Sequence, residues 1–500
     1  MRKYQLYIDG QFVDSASGET FQSINPATEQ PIAEVARANR EDARRAIAAA
    51  RRAFDEGPWS RTTPADRSKF LLQIAEALSA RAAELATLET EDSGGTIRKT
   101  MGDLALGAMQ LMTFAEMGAS FPLVENLPDQ MIPGPAKNFV YREPFGVCGQ
   151  IIPWNFPLVM AIWKLGPALA TGNTIVLKPA PDSPCTAMEL AKILSEIDLP
   201  KGVVNIIPGF GPDCGEELAT NPLVDKVAFT GSTAVGRRIM QLASGTLKKV
   251  TLELGGKSPA ILCDDADLDM ASAGVLFGVF FHQGQACESG TRLLVSERLH
   301  DEFVERLVKR AKTLRVGDPG SIESDLGPLI ADRQRDRVEG YIRSGQEEGA
   351  KIVIGGGRPA NLPKGYYVEP TIFVDVKNEM KIAQEEIFGP VLCVLKYRDL
   401  DDAVRMANDT IYGLAGAVWS KNEEKAVSIA RRLRAGTVWI NEHHMLSAST
   451  PFGGYKQSGI GRELGMHGMS EYLQIKHVYV DQVGDLSQKF WYQSLFGEGV

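Results

Sequence analysis

The sequence predicts an α/β protein built on a parallel sheet, and three features carry that expectation. Between residues 171 and 262 short apolar runs alternate with helical stretches, the βαβ pattern that makes parallel sheets. A second, helix-rich α/β region follows from about 268 to 441. The 500 residues, 44% hydrophobic and 23% charged, are enough for several domains and a cleft between them.

A first helix is expected over 39–54 and a second over 63–88. Thr63 is the N-cap of the second and Pro64 its first residue; Leu71, Ile74, Ala75, Leu78, Ala82 and Leu85 follow helical spacing, and Gly94-Gly95 stops it. The segment 138–144 alternates like an exposed strand. Buried strands are expected over 174–177, 203–207, 226–229, 249–253 and 260–262, with helices over 183–197 and from Ser232 between them. Ligands bind such a sheet at the carboxyl ends of its strands. A last alternating run covers 475–480, and both exposed strands are candidates for pairing with another subunit. The aromatic stretch from Phe490 to Phe496 is expected to dock rather than trail in water.

Several function classes are excluded. The net charge is −9 and the basic residues are scattered, so no stripe suits a nucleic acid. No apolar run approaches the ~20 residues of a membrane helix, and the opening residues are too weakly apolar for a signal peptide, which points to the cytoplasm. The six cysteines lie far apart without a C-x-x-C pair, arguing against disulfides or zinc. Adjacent His443 and His444 cannot both face one metal from regular structure and read as loop residues, so no metal site is expected.

Three glycine-rich stretches compete as a phosphate cradle. Gly209-Phe210-Gly211-Pro212-Asp213-Cys214-Gly215 has one residue too many for the dinucleotide fingerprint, and Pro212 removes an N–H. Gly255-Gly256-Lys257-Ser258 ends like a P-loop, but Thr251 stands where its first glycine belongs. Phe229-Thr230-Gly231-Ser232-Thr233-Ala234-Val235-Gly236 joins a strand directly to a helix, so Gly231 permits the turn and Ser232 can cap the helix or meet a pyrophosphate. Cys287 lies between Gly284 and Gly290, in a sequence suited to a tight exposed loop.

Six motifs then follow one another: Pro153-Trp154-Asn155-Phe156-Pro157, Phe229-Thr230-Gly231-Ser232, Leu252-Glu253-Leu254-Gly255-Gly256-Lys257, Gly284-Gln285-Ala286-Cys287, Glu386-Ile387-Phe388-Gly389-Pro390 and Pro451-Phe452-Gly453-Gly454-Tyr455-Lys456-Gln457-Ser458-Gly459. In this order and spacing they closely resemble the hydrolytic, NAD(P)-dependent branch of the aldehyde dehydrogenase superfamily, from about residue 7 to 479. The resemblance implies a Rossmann-like cofactor domain (1–122 plus 145–255), a second α/β catalytic domain (256–457), and a small β oligomerisation arm with a C-terminal tail (123–144 plus 472–500). It also implies oxidation of an aldehyde to a carboxylic acid, in a homodimer or homotetramer. A relative making an acyl-CoA is disfavoured by Glu253, and a non-catalytic scaffold by Cys287, Glu253 and Asn155 together.

By the same resemblance Cys287 is the nucleophile, a position where thiolate outperforms a hydroxyl near neutral pH. Asn155 and the Cys287 N–H hold the oxyanion, Glu253 activates water, and Glu463 relays protons or simply pairs with Arg462 or another cation. Lys178 meets the adenosine ribose, Ser232 the pyrophosphate, and Glu386 the nicotinamide ribose beside Phe388, with Gln334 also in reach. Ile152, Pro153, Trp154, Gly211, Phe229, Gly231, Gly236 and Leu254 complete the cofactor surface. Phe156, Met160, Trp163, Phe281, Met445, Leu446 and Phe452 line an apolar substrate tunnel, favouring uncharged aliphatic or aromatic aldehydes.

Two positions depart from the family pattern. Pro181 stands where NAD-preferring members carry a ribose-binding glutamate, so both NAD and NADP are expected to be accepted. Glu288 beside the nucleophile is charged where a small or apolar residue is usual, and is expected to point away from the tunnel. Facing inward, it would favour an amino- or betaine-type aldehyde, with Trp163 as a cation–π partner.

Overall fold

Two reciprocal caps set the first helices of the computed structural model, which describes residues 1–497. Asn39 accepts from the Asp42 N–H while the Asp42 carboxylate accepts from the Asn39 N–H, opening Arg40–Asp55. Thr63 and Asp66 repeat the device ahead of Pro64–Ala80. The helix expected over 63–88 is in fact two. At Arg81 the backbone leaves helical geometry (φ −107°, ψ 12°), turning its guanidinium onto Glu84 (2.9 Å) and Glu189 (2.6 Å). A new helix, Ala82–Ser93, runs to a left-handed Gly94 at φ 74°.

An eight-stranded sheet forms one half of the molecule. Its middle is parallel, in the order Lys249–Glu253, Lys226–Thr230, Val147–Ile151, Thr174–Lys178 and Val204–Ile206. Leu6–Ile8 and then Gln11–Val13 extend one side antiparallel, and Gly459–Ile460 closes the other. The central strand Val147–Ile151 escaped the sequence reading because Gly149 and Gln150 weaken its apolar pattern. It is nonetheless buried throughout, and Gly149 lets Leu218 pack close.

A seven-stranded sheet forms the other half, parallel except for Lys351–Ile354 at its edge. Pro259–Leu262, which the strand–helix alternation groups with the first sheet and the resemblance with the catalytic domain, belongs here, between Arg292–Ser296 and Ala415–Trp419. Its local pattern is that of any buried strand, and pairing partners far along the chain decide which sheet it joins. Helix Ile97–Ser120 was also unforeseen. Its sequence is apolar almost all round, so no helical period stands out, and it packs on the wholly buried helix Pro157–Ala170.

The two exposed strands pair with each other, Ala136–Pro144 against Leu473–Asp481 over nine residues, with Val124–Asn126 on the far side. Ala136–Pro144 is therefore central in this small sheet, and the outer edges of Leu473–Asp481 and Val124–Asn126 have no strand partner among the described residues. In the aromatic tail, Trp491 packs against Gly134 and Lys489 pairs with Asp481 at 2.7 Å, whereas Leu495 and Phe496 stay exposed. The tail expected over 472–500 extends into 498–500, which lie outside the described residues. Among the described residues no helix is long and apolar enough to cross a membrane.

Candidate active site

Parallel strands place their carboxyl ends on one side, and three of them deliver the site. Val147–Ile151 runs into Pro153-Trp154-Asn155-Phe156, Lys226–Thr230 into Gly231-Ser232 and helix Thr233–Ala243, and Lys249–Glu253 ends on Glu253 itself. The loop before Arg292–Ser296 brings Cys287 from the other sheet. Three successive left-handed residues, His282 (49°), Gln283 (57°) and Gly284 (71°), fold it back. The two that are not glycine cost on the order of 1–3 kcal/mol each, held by the surrounding structure. The loops enclose a cleft of about 430 Å³ that includes Cys287, Glu253 and Asn155 in its wall.

Each of these three has a distinct setting. Cys287 is half-buried; burial first, then the charges of Glu288, Glu253 and Glu386, push its thiol well above the ordinary range. Asn155 Nδ2 donates to the Gln285 carbonyl at 2.8 Å, which ties it to the cysteine loop and leaves its second amide hydrogen free. From behind, Lys99 Nζ donates to the Asn155 carbonyl at 3.1 Å and pairs with Asp103 at 2.5 Å. Glu253 is buried, and its Oε2 has no hydrogen-bond partner among the described residues. Burial and the neighbouring Glu463 raise its carboxyl well above the usual range, against the pull of Lys164 and Arg462.

Glu463 lies outside the cleft wall. It pairs with Lys164 at 2.6 Å, both wholly buried, rather than with Arg462, whose guanidinium donates to the Gly454 and Gly461 carbonyls. It therefore reaches Glu253 through its charge and not by contact.

Of the expected cofactor residues, Pro153, Trp154, Gly231, Ser232, Leu254, Gln334, Glu386 and Phe388 line the cleft. Ile152, Lys178, Gly211, Phe229 and Gly236 do not. Phe229 lies beneath Gly231, and Leu254 fills the space beside Gly236, so both act as support. Lys178 is buried at its strand end, its pKa lowered by burial, next to Gly215 of the Gly209–Gly215 turn. Gln334, in the cleft wall, donates its amide to the Phe388 carbonyl at 2.8 Å and braces that loop. Glu386 accepts from the Gly256 N–H at 3.0 Å, and burial lifts its carboxyl to about 7.

These residues fit a dinucleotide. Thr230 lines the cleft just before the eleven-residue helix Thr233–Ala243, and its buried Oγ1 lacks a partner among the described residues. Across from it, Glu386 offers a carboxylate to ribose hydroxyls.

All seven expected tunnel residues line the cleft, with Phe156 stacked on Phe281 and Trp163 edge-on to Phe452. Asp103, Leu106, Val159, Phe277, Arg337 and His444 also line it and were not foreseen. Phe277 stands four residues before Phe281 on helix Leu268–Phe280, a spacing that would have found it. Glu288 overturns an expectation: it faces inward. Its Oε2 accepts from Cys287 Sγ at 3.1 Å and its Oε1 meets His444 Nδ1 at 2.9 Å. His444 is a loop residue as expected, but one that closes the tunnel wall.

The aldehyde dehydrogenase family model matches residues 12–478. The chain belongs to the aldehyde dehydrogenase family. It is an oxidoreductase that acts on aldehydes with a nicotinamide cofactor. It is similar to the betaine aldehyde dehydrogenase of Bacillus subtilis, 47% identical over 95% of this chain and 96% of that one. Aldehyde dehydrogenase 1A1 of Mesocricetus auratus is 46% identical, over 95% of this chain and 94% of its own. Among solved structures, the NAD+ complex of an aldehyde dehydrogenase from Bacillus cereus superposes with a TM-score of 0.93 at 42% identity, covering 96% and 97% of the two chains. Betaine aldehyde dehydrogenase from Staphylococcus aureus, in complex with NAD+, gives 0.94 at 41% identity over 96% of each. The architecture is accordingly the family's: a Rossmann-like cofactor sheet, a second α/β unit and a small β arm.

Proposed function

We propose that this chain oxidises uncharged aliphatic or aromatic aldehydes to carboxylic acids through a thiohemiacetal and a thioester on Cys287. The observation that supports it most is the convergence of Cys287, Asn155 and Glu253 on one cleft whose remaining wall is largely apolar and aromatic. Cys287 adds to the carbonyl carbon, and the resulting oxyanion is met by the free amide hydrogen of Asn155 and the Cys287 N–H. When bound, the oxidised nicotinamide supplies the acceptor for the hydride that leaves this adduct. Cys287 is then a thioester, and Glu253 takes a proton from the water that hydrolyses it. Its raised carboxyl makes it a stronger base than an ordinary carboxylate. Glu463 and Lys164 tune that base from behind.

Gly231, Ser232 and Thr230 would hold the pyrophosphate, Glu386 the nicotinamide ribose and Lys178 the adenosine ribose. Pro181 offers the second ribose no carboxylate, and neighbouring Asp182 is committed to Arg333 at 2.5 Å. NAD and NADP are therefore both used. The exposed Ile475, Tyr479 and Val480 on the outer strand of the arm suit a homodimer or homotetramer, and six free cysteines suit the reducing cytoplasm.

A cationic, amino- or betaine-type aldehyde is the second reading, favoured by Glu288 facing inward. Against it, Glu288 already meets His444 and Asp103 already meets Lys99, so neither carboxylate is free for a substrate ammonium. Reduced-cofactor absorbance across neutral, cationic and anionic aldehydes, with each cofactor in turn, tests both points. Neutral aldehydes are expected to give the highest kcat/KM. An advantage of NAD over NADP beyond about a thousandfold, ~4 kcal/mol, would refute dual use.

A further inference from the structure

We propose that Glu288, anchored by His444, is a further active-site residue that holds the sulfur of Cys287 as a hydrogen-bonded thiol in the resting enzyme. The inference rests on Cys287 being the nucleophile and goes beyond it, because neither oxyanion stabilisation nor water activation employs Glu288 or His444.

The geometry is a short chain of contacts. Cys287 Sγ donates to Glu288 Oε2 at 3.1 Å; Glu288 Oε1 meets His444 Nδ1 at 2.9 Å; His444 Nε2 meets the Gly278 carbonyl at 3.1 Å. Both ring nitrogens of His444 thus face oxygen atoms, which fixes the ring between Glu288 and helix Leu268–Phe280. Beside it, His443 Nε2 meets the Glu288 carbonyl at 3.0 Å and pins the backbone of the same residue. Rings of Phe277 and Phe281 pack on His444 at 5.4 and 5.3 Å, fixing it in place. Glu288 is buried, and burial alone would raise its carboxyl. The hydrogen bond and charge of His444, with the thiol hydrogen bond, outweigh that and hold it down to about 2.

A carboxylate at this distance acts on the sulfur in one direction. It accepts from S–H and repels S⁻, so it favours the thiol. Glu253 and Glu386 face the sulfur with further negative charge when ionised, Asp103 and Lys99 form a closed pair behind Phe156, and His443 is kept neutral, down to about 3, by burial and His444. No other cation touches the sulfur among the described residues. A sulfur held this way is shielded from stray electrophiles and oxidants until substrate displaces the contact.

The test is the pH dependence of alkylation by iodoacetamide, read as label on Cys287 by mass spectrometry alongside lost activity. Glu288→Gln removes the charge while keeping the shape. Its alkylation midpoint is expected at least about one pH unit below that of the parent, which makes alkylation near neutral pH about tenfold faster. Glu288→Asp, which retains the charge, keeps the high midpoint and serves as the conservative rescue; circular dichroism confirms that each variant is folded. A Glu288→Gln midpoint that is unchanged or higher overturns the proposal. So does an unchanged midpoint with an altered ratio of kcat/KM for an aminoaldehyde over a neutral one, which would make Glu288 a substrate-recognition group. A Cys287→Ala protein that still oxidises aldehydes would instead overturn the nucleophile assignment itself, so the two failures are distinct.

Discussion

Glu253 and Glu288 flank the same sulfur and are almost equally buried, at 4% and 5% exposure, yet their surroundings set them in opposite states. Burial and then a second carboxylate, Glu463, raise the carboxyl of Glu253 and make it a stronger proton acceptor, and one of its oxygens has no partner among the described residues. Glu288 has both oxygens engaged, one by His444 and one by the thiol, and stays ionised. Burial alone therefore does not assign a role to an acidic residue. The partner supplied by the next layer of packing does, and it separates a carboxylate poised to take a proton from water from one that holds a proton on sulfur.

Substitutions can break this contrast, beginning with the largest effect. Glu253→Gln removes the base for water and is expected to lower steady-state kcat by about 10²–10⁴-fold. Full turnover in that variant would mean that another group, Glu288 foremost, does the same work. Asn155→Ala removes the side-chain donor to the oxyanion and should lower kcat about 10²–10³-fold, while leaving the alkylation midpoint of Cys287 where it was. A smaller effect sharpens the Glu253 side. Glu463→Gln deletes the charge that raises Glu253 and leaves Lys164, which pulls it down, so Glu253 ionises at lower pH. The acid limb of the kcat–pH profile should then move down by about half to one pH unit, whereas a shift to higher pH would exclude the arrangement.

Much of this was legible in the sequence because its signals are local. Thr63-Pro64 and Asn39 announce their helices through capping chemistry, and the six motifs around Asn155, Glu253 and Cys287 sit at the loop ends where the sheet delivers them. What was not legible depends on distant segments meeting. The strand 260–262 reads like its neighbours, and only its pairing with Arg292–Ser296 places it in the second sheet. Helix Ile97–Ser120 hid because it is apolar on nearly every side, and it brings Asp103 and Leu106 to the tunnel. The inward turn of Glu288 requires His444, a residue 156 positions away that has no helical or strand periodicity to mark it.

The division of labour around Cys287 is tested most directly by rapid mixing of Glu253→Gln with cofactor and a neutral aldehyde. The account predicts one equivalent of reduced cofactor per active site, then arrest, with an acyl group trapped on Cys287 and visible by mass spectrometry. No first turnover, or continued turnover with no acyl group on Cys287, would contradict it.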